Sequence, residues 1–146
     1  MSHDRLPVVI AAAAGVAGLA ISIYLTVVHY SALPLVCSTT AAVDCGRVLS
    51  SGYAVIAGTG VPTSMAGVAW FAVSTTLATA QLARPSSQNL AHIHLVWSGL
   101  GLATVLYLVF VEIVQLGAIC IWCTVVHILV LVTFLVVWIH RSRLTM

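Results

Sequence analysis

Long apolar runs separated by brief polar breaks dominate this chain. Four of them, at about 8–30, 63–82, 90–116 and 118–140, reach the roughly 20 residues a helix needs to cross the hydrocarbon of a bilayer. The connection over 31–62 is long. By contrast, Arg84-Pro85-Ser86-Ser87-Gln88-Asn89 is a short turn-rich break and Gly117-Ala118-Ile119 is barely a turn. Links this short predict that the second, third and fourth helices are antiparallel neighbours. The pattern therefore predicts an all-α integral membrane protein with one membrane domain over 1–146. It would be a four-transmembrane-helix bundle with a long outer loop between helices 1 and 2. Within that loop, the apolar spacing over 45–58 suits a short amphipathic helix on the membrane surface. Pro62 suits the first turn of the next helix, where a missing N–H costs nothing.

The first apolar run exceeds the roughly 7–15 residues of a signal-peptide core, so it reads as a retained helix. Pro34-Leu35-Val36 offers no small residue before Cys37, so lipoprotein-type processing is not expected there. Ala11, Ala14, Gly15 and Gly18 form small-xxx-small pairs that allow close helix packing, and Gly67 with Ala66 and Ala69 has the same look.

Composition agrees with a membrane setting: of 146 residues, 62% are hydrophobic and 5% charged, against about 25% charged in soluble domains. The five basic residues are all arginine and form no run, which removes nucleic-acid binding from consideration. Positively charged loops stay on the cytoplasmic side. With four spans, Arg5, Arg84, Arg141 and Arg143 fall on one side and Arg47 on the other. The expected location is a plasma (inner) membrane with both termini cytoplasmic. The long loop and the turn before Cys120 then share the outer, oxidising face.

The candidate chemistry lies in four cysteines: Cys37 and Cys45 in the loop, and Cys120-Ile121-Trp122-Cys123 at the head of the last apolar run. In a C-x-x-C at a helix start, the first thiol sits among unpaired backbone N–H groups that favour the thiolate. A second pair able to reach it turns one redox site into a relay. Zinc binding usually wants two short C-x2–4-C knuckles, and only one pair has that spacing. Purely structural disulfides explain the C-x-x-C poorly, because so small a loop adds little entropic stabilisation. Trp122, inside the motif, is placed to tune its redox poise, and Trp70, Trp97 and Trp138 read as belt or packing residues.

His127 shares a helical face with Cys120 and Cys123, about 6 Å below Cys123. An ionisable group at that depth reads as functional: a hydrogen bond to a ligand carbonyl, with a bond to a neighbouring helix as the alternative. Glu112 is the only acid in a predicted span, a candidate to reach the interface or pair with Arg47 or His127. His92 and His94, two apart, point in different directions on a helix, which argues against a metal pair; no metal site is expected.

The Cys-x7-Cys spacing, Arg47-Val48-Leu49-Ser50-Ser51, the Pro62-Thr63-Ser64 opening and Cys120-Ile121-Trp122-Cys123 together resemble the vitamin K epoxide reductase family, particularly its bacterial homologues. The likeness runs from about Tyr24 to Phe134. It implies a four-helix bundle around a quinone, with Cys120 and Cys123 as the active-site pair and Cys123 nearest the quinone. Cys37 and Cys45 would be the shuttle, Cys37 meeting the partner and Cys45 attacking Cys120. Ser51 matches the family's loop serine, and Tyr53 falls where vertebrate relatives have a tryptophan. His127 stands where those relatives have a quinone-bonding tyrosine, and Thr63 aligns with a quinone-contacting asparagine. With His127 the hydrogen-bonding role would pass to a different donor, which tells against epoxide reduction, and Thr63 weakens the quinone contact further. Many bacterial relatives carry a fused thioredoxin-like domain; here the chain ends at Met146, so a separate partner is expected.

The resulting expectation is a membrane thiol–disulfide oxidoreductase. It would reoxidise a thioredoxin-fold, DsbA-like donor and pass two electrons to a membrane quinone (menaquinone, ubiquinone or phylloquinone). A DsbB-type quinone reductase has its two cysteine pairs in the reverse order. The rival of a different class is a membrane scaffold whose loop is pinned by disulfides, without redox turnover.

Overall fold

A computed structural model describes residues 5–31, 35–37, 40 and 42–145. Helix α1 runs Leu6–Ser31, a short α2 Cys45–Leu49, α3 Thr63–Ala83, α4 Gln88–Phe110 and α5 Ile121–Thr145. Over the described residues the protein is an all-α bundle of four helices long and apolar enough to cross a membrane. Helix α1 packs between α3 and α5, and α4 closes the ring against the same two. Large apolar side chains such as Val16, Leu100, Leu106 and Leu131 point outward, as a lipid-facing surface requires.

Small residues set the packing. Ala11, Ala14, Gly15 and Gly18 are all buried on one face of α1. A Cβ at Gly18 would run into the ring of Phe71, which is itself buried, so the glycine is the notch into which α3 docks. Trp70 and Trp97 clamp α3 to α4 reciprocally, each indole N–H donating to the other's carbonyl at 3.3 Å. Deeper in the bundle, the Ser74 hydroxyl and the Gln81 amide flank buried His94 at 3.2 and 3.0 Å. His92, two residues away, is exposed.

Element ends differ from the hydrophobic pattern where local chemistry intervenes. Ser87 caps α4 by accepting from the Leu90 N–H, so the helix starts inside the polar break. Pro62 is the residue before α3, one position earlier than its first turn. Directly after α4, Val111–Leu116 continues as a wider π-helix that Gly117 ends in the left-handed region at φ 58°. Helix α5 starts at Ile121, after Ile119 has paired with the loop and the Ala118 and Cys120 N–H groups have bonded Glu112. Helix α2 is capped by Asp44, whose carboxylate accepts from the Arg47 N–H at 2.9 Å. It stops at Leu49, and a separate 3-10 turn covers Gly52–Ala54. The region 45–58 is thus two short pieces rather than one continuous helix.

Candidate active site

Cys120 occupies the position just before α5 and acts as its cap: its sulfur accepts from the Cys123 N–H at 3.3 Å. One turn along, the Cys123 thiol donates to the same sulfur across 2.7 Å. Cys120 is wholly buried. The donating Cys123 thiol, helped by the Cys123 and Trp122 N–H groups, draws the Cys120 pKa below the usual thiol value. Burial and the Glu112 charge oppose that fall. The Cys123 thiol first, and the backbone N–H groups of the helix start after it, thus make Cys120 the better thiolate.

The loop pair is bridged: Cys37 and Cys45 form a disulfide. Its position follows from backbone pairing. Val43 and Ile119 form a parallel bridge in which the Ile119 N–H donates to Ala42 O at 2.9 Å and the Asp44 N–H donates to Ile119 O at 3.1 Å. Cys45 follows Asp44 and Cys120 follows Ile119, so the bridge delivers the two cysteines side by side. Cys45 and Cys120 are buried in one cluster with Val48 and Ala118, and Cys37, Trp122 and Cys123 pack against it. Trp122 has a further role that its position inside the motif did not suggest. Its indole N–H donates to Val36 O at 2.8 Å, and its ring packs on Tyr24 at 5.2 Å. The tryptophan between the active-site cysteines therefore holds the chain just before Cys37.

Beneath this cluster, all four long helices and the loop enclose a cavity of about 240 Å³. Cys123 and His127 look into it from α5, with Phe71, Gly101 and Val130 deeper down. Ser51, Tyr53 and Thr63 line its loop side. The Ser51 hydroxyl donates to Val48 O at 2.7 Å and the Thr63 hydroxyl to Tyr53 O at 3.2 Å. These two side chains therefore brace the roof as well as facing the cavity. Among the described residues the buried His127 ring makes no hydrogen bond, so its polar edge is available to a ligand. Glu112 neither reaches Arg47 nor pairs with His127; its carboxylate accepts from the Cys120 N–H at 3.3 Å. A mostly apolar cavity with a few convergent polar groups is the usual form of a small-molecule site.

Sequence reasoning missed two sets of residues. His29 and Ser22 join the cavity wall from α1. Their signal was present, since Ser22, Thr26 and His29 recur at three- to four-residue spacing on an otherwise apolar helix. Asp44, Ala42 and Ile119 build the loop anchor, and no local period marks such a pairing.

The sequence profile of the vitamin K epoxide reductase family matches residues 9–138. The chain belongs to the vitamin K epoxide reductase family. The matched stretch contains all four cysteines and the whole cavity wall. No curated protein matches the chain. Family membership makes it a multi-pass membrane oxidoreductase of the thiol–disulfide class.

Proposed function

We propose that this protein reoxidises a separate thioredoxin-fold, DsbA-like protein on the outer face of the plasma membrane and passes the two electrons to a membrane quinone. The observation that carries the reading is the gathering of both cysteine pairs into one cluster directly above an apolar cavity. In this reading the reduced partner attacks the Cys37–Cys45 disulfide at Cys37 and leaves oxidised. The freed Cys45 thiolate attacks an oxidised Cys120–Cys123 pair at Cys120, and Cys37 then displaces Cys120 to restore the loop disulfide. The loop is oxidised and the C-x-x-C reduced after this exchange.

The cavity residues suit a quinone. The walls are apolar, Cys123 borders the space, and His127, Ser51, Tyr53 and Thr63 offer polar contacts. When bound, the quinone supplies a two-electron sink. His127 would donate from a neutral imidazole to a carbonyl oxygen, the lid formed by α2 and the 3-10 turn would exclude water, and Cys120 would close the disulfide with Cys123. A relay answers a physical problem: the protein substrate is in water, the quinone is in lipid, and the loop reaches both. Orientation rests on the arginines, with Arg84 closing α3 and Arg141 and Arg143 ending α5 at the end of the bundle away from the cysteines.

The test is quinone reduction by purified protein supplied with a reduced thioredoxin-fold donor. Cys123→Ala should abolish it with either the protein donor or dithiothreitol as reductant. Cys37→Ala should block the protein donor and spare most of the dithiothreitol reaction. Equal loss in both assays for Cys37→Ala assigns the loop disulfide a folding role instead, as a pinned scaffold would have.

A further inference from the structure

Among the described residues Glu112 is the one acidic side chain in the cavity wall, and thiol–disulfide exchange alone gives it nothing to do. It is nearly fully buried, at 6% exposure. It sits on the π-helical turn Val111–Leu116, a distortion that recurs at functional sites. That turn bends its backbone and side chain onto the segment leading into Cys120. The Glu112 carbonyl accepts from the Ala118 N–H at 3.1 Å, and its carboxylate accepts from the Cys120 N–H at 3.3 Å. Only one carboxylate oxygen has that bond, and the side chain also borders the cavity shared with Cys123 and His127.

We propose that Glu112 is the proton relay of the site, taking the proton of the Cys123 thiol and delivering it to the oxygen of the bound quinone. This rests on the quinone reading above. The need arises from the sulfur pair itself. The Cys120 and Cys123 sulfurs lie 2.7 Å apart and share a proton, and that proton must leave for the pair to close its disulfide and give up electrons.

The overall step balances as a dithiol plus a quinone giving a disulfide plus a hydroquinone. The Cys123 S–H bond breaks and an O–H bond forms on Glu112. The Cys120–Cys123 S–S bond then forms, and two electrons pass to the quinone. The Glu112 proton ends on one hydroquinone oxygen. The second proton comes from water at the outer face, replacing the one surrendered when Cys120 became a thiolate. Transfer runs directly or through one water. The other titratable groups facing the cavity are His29 from α1, Tyr53 from the loop, and Cys123 and His127 from α5. The α3 wall contributes none, and Arg47 on α2 is exposed.

A purely structural role would be to cap the start of α5 through the Cys120 N–H. Glu112→Gln separates the two, because an amide oxygen can still accept that bond but the amide cannot carry the proton. Two measurements are made in a Cys37→Ala, Cys45→Ala background. In quinone-free protein, the ultraviolet thiolate absorbance of Cys120 should titrate at lower pH in Glu112→Gln, because a neighbouring negative charge is gone. With a short-chain naphthoquinone, single-turnover reduction by the prereduced variant should nevertheless be about 100-fold slower at neutral pH. Its rate should climb as hydroxide replaces the missing base, and Glu112→Asp should recover part of the loss. A more ionised thiol coupled to a slower reaction is not what loss of a cap produces. Wild type that reduces the quinone while Glu112→Gln does so equally fast overturns the relay alone. So does a loss of rate with an unchanged pH profile. Wild type that fails to reduce quinone overturns the quinone reading and the relay with it.

Discussion

Val43 and Ile119 pair through their backbones in a single parallel bridge, and that contact sets the distance between the two redox pairs. Each lies immediately upstream of functional sequence, so one short stretch of hydrogen bonding fixes Cys45 against Cys120. Loop and helix start remain separable, since the bridge is only two hydrogen bonds. At a net 0.5–1.5 kcal/mol or so for each bond, such an anchor holds the loop without freezing it.

Trp122 is the second anchor. Trp122→Phe keeps an aromatic ring against Tyr24 but removes the N–H that donates to Val36 O. Loss of one such bond corresponds to roughly a three- to tenfold effect. Electron transfer from a protein donor should slow by about that factor, with the dithiothreitol-driven reaction unchanged. Equal slowing in both reactions would show that Trp122 acts on the active-site pair and not on the loop.

His127 has no hydrogen-bond partner among the described residues and faces the cavity. His127→Phe should raise the apparent KM for quinone by roughly three- to tenfold. His127→Tyr, which restores a donor, should recover part of the loss. If both variants handle quinone like wild type but melt at lower temperature, the histidine is a packing residue.

Cys120 owes its lowered pKa first to the thiol of Cys123. In reduced protein with Cys37 and Cys45 replaced by alanine, its thiolate absorbance should appear at lower pH than that of an ordinary thiol. Adding Cys123→Ala removes the donor, so the titration should move to higher pH. A titration that stays in place would mean that the helix start alone sets the acidity.

Orientation is open to a direct check. An impermeant thiol reagent added outside intact cells should label reduced Cys37 or Cys45. Labelling only after the cytoplasmic face is opened would reverse the topology drawn from Arg5, Arg84, Arg141 and Arg143.

Periodic features were legible in the sequence and non-periodic ones were not. Four apolar runs, the packing face Ala11–Gly18 and the shared face of Cys120, Cys123 and His127 all follow from length or from the 3.6-residue repeat. The loop anchor at Ala42, Asp44 and Ile119 depends on backbone groups meeting across about half of the chain, which no window of side chains reports. The π-turn at Val111–Leu116 is equally silent, because its apolar residues read as ordinary helix. Glu112 was visible as an isolated acid, but its bond to the Cys120 N–H required the distortion that turns it inward.

The relay itself stands or falls on whether Cys45 and Cys120 can exchange. In a Cys37→Ala, Cys123→Ala double variant only these two thiols remain, and mild oxidation should join them. Mass spectrometry of the digested protein should then find the peptides containing Cys45 and Cys120 linked within one chain in most molecules. Two unlinked thiols, or links only between chains, would contradict electron transfer from the loop pair to the active-site pair.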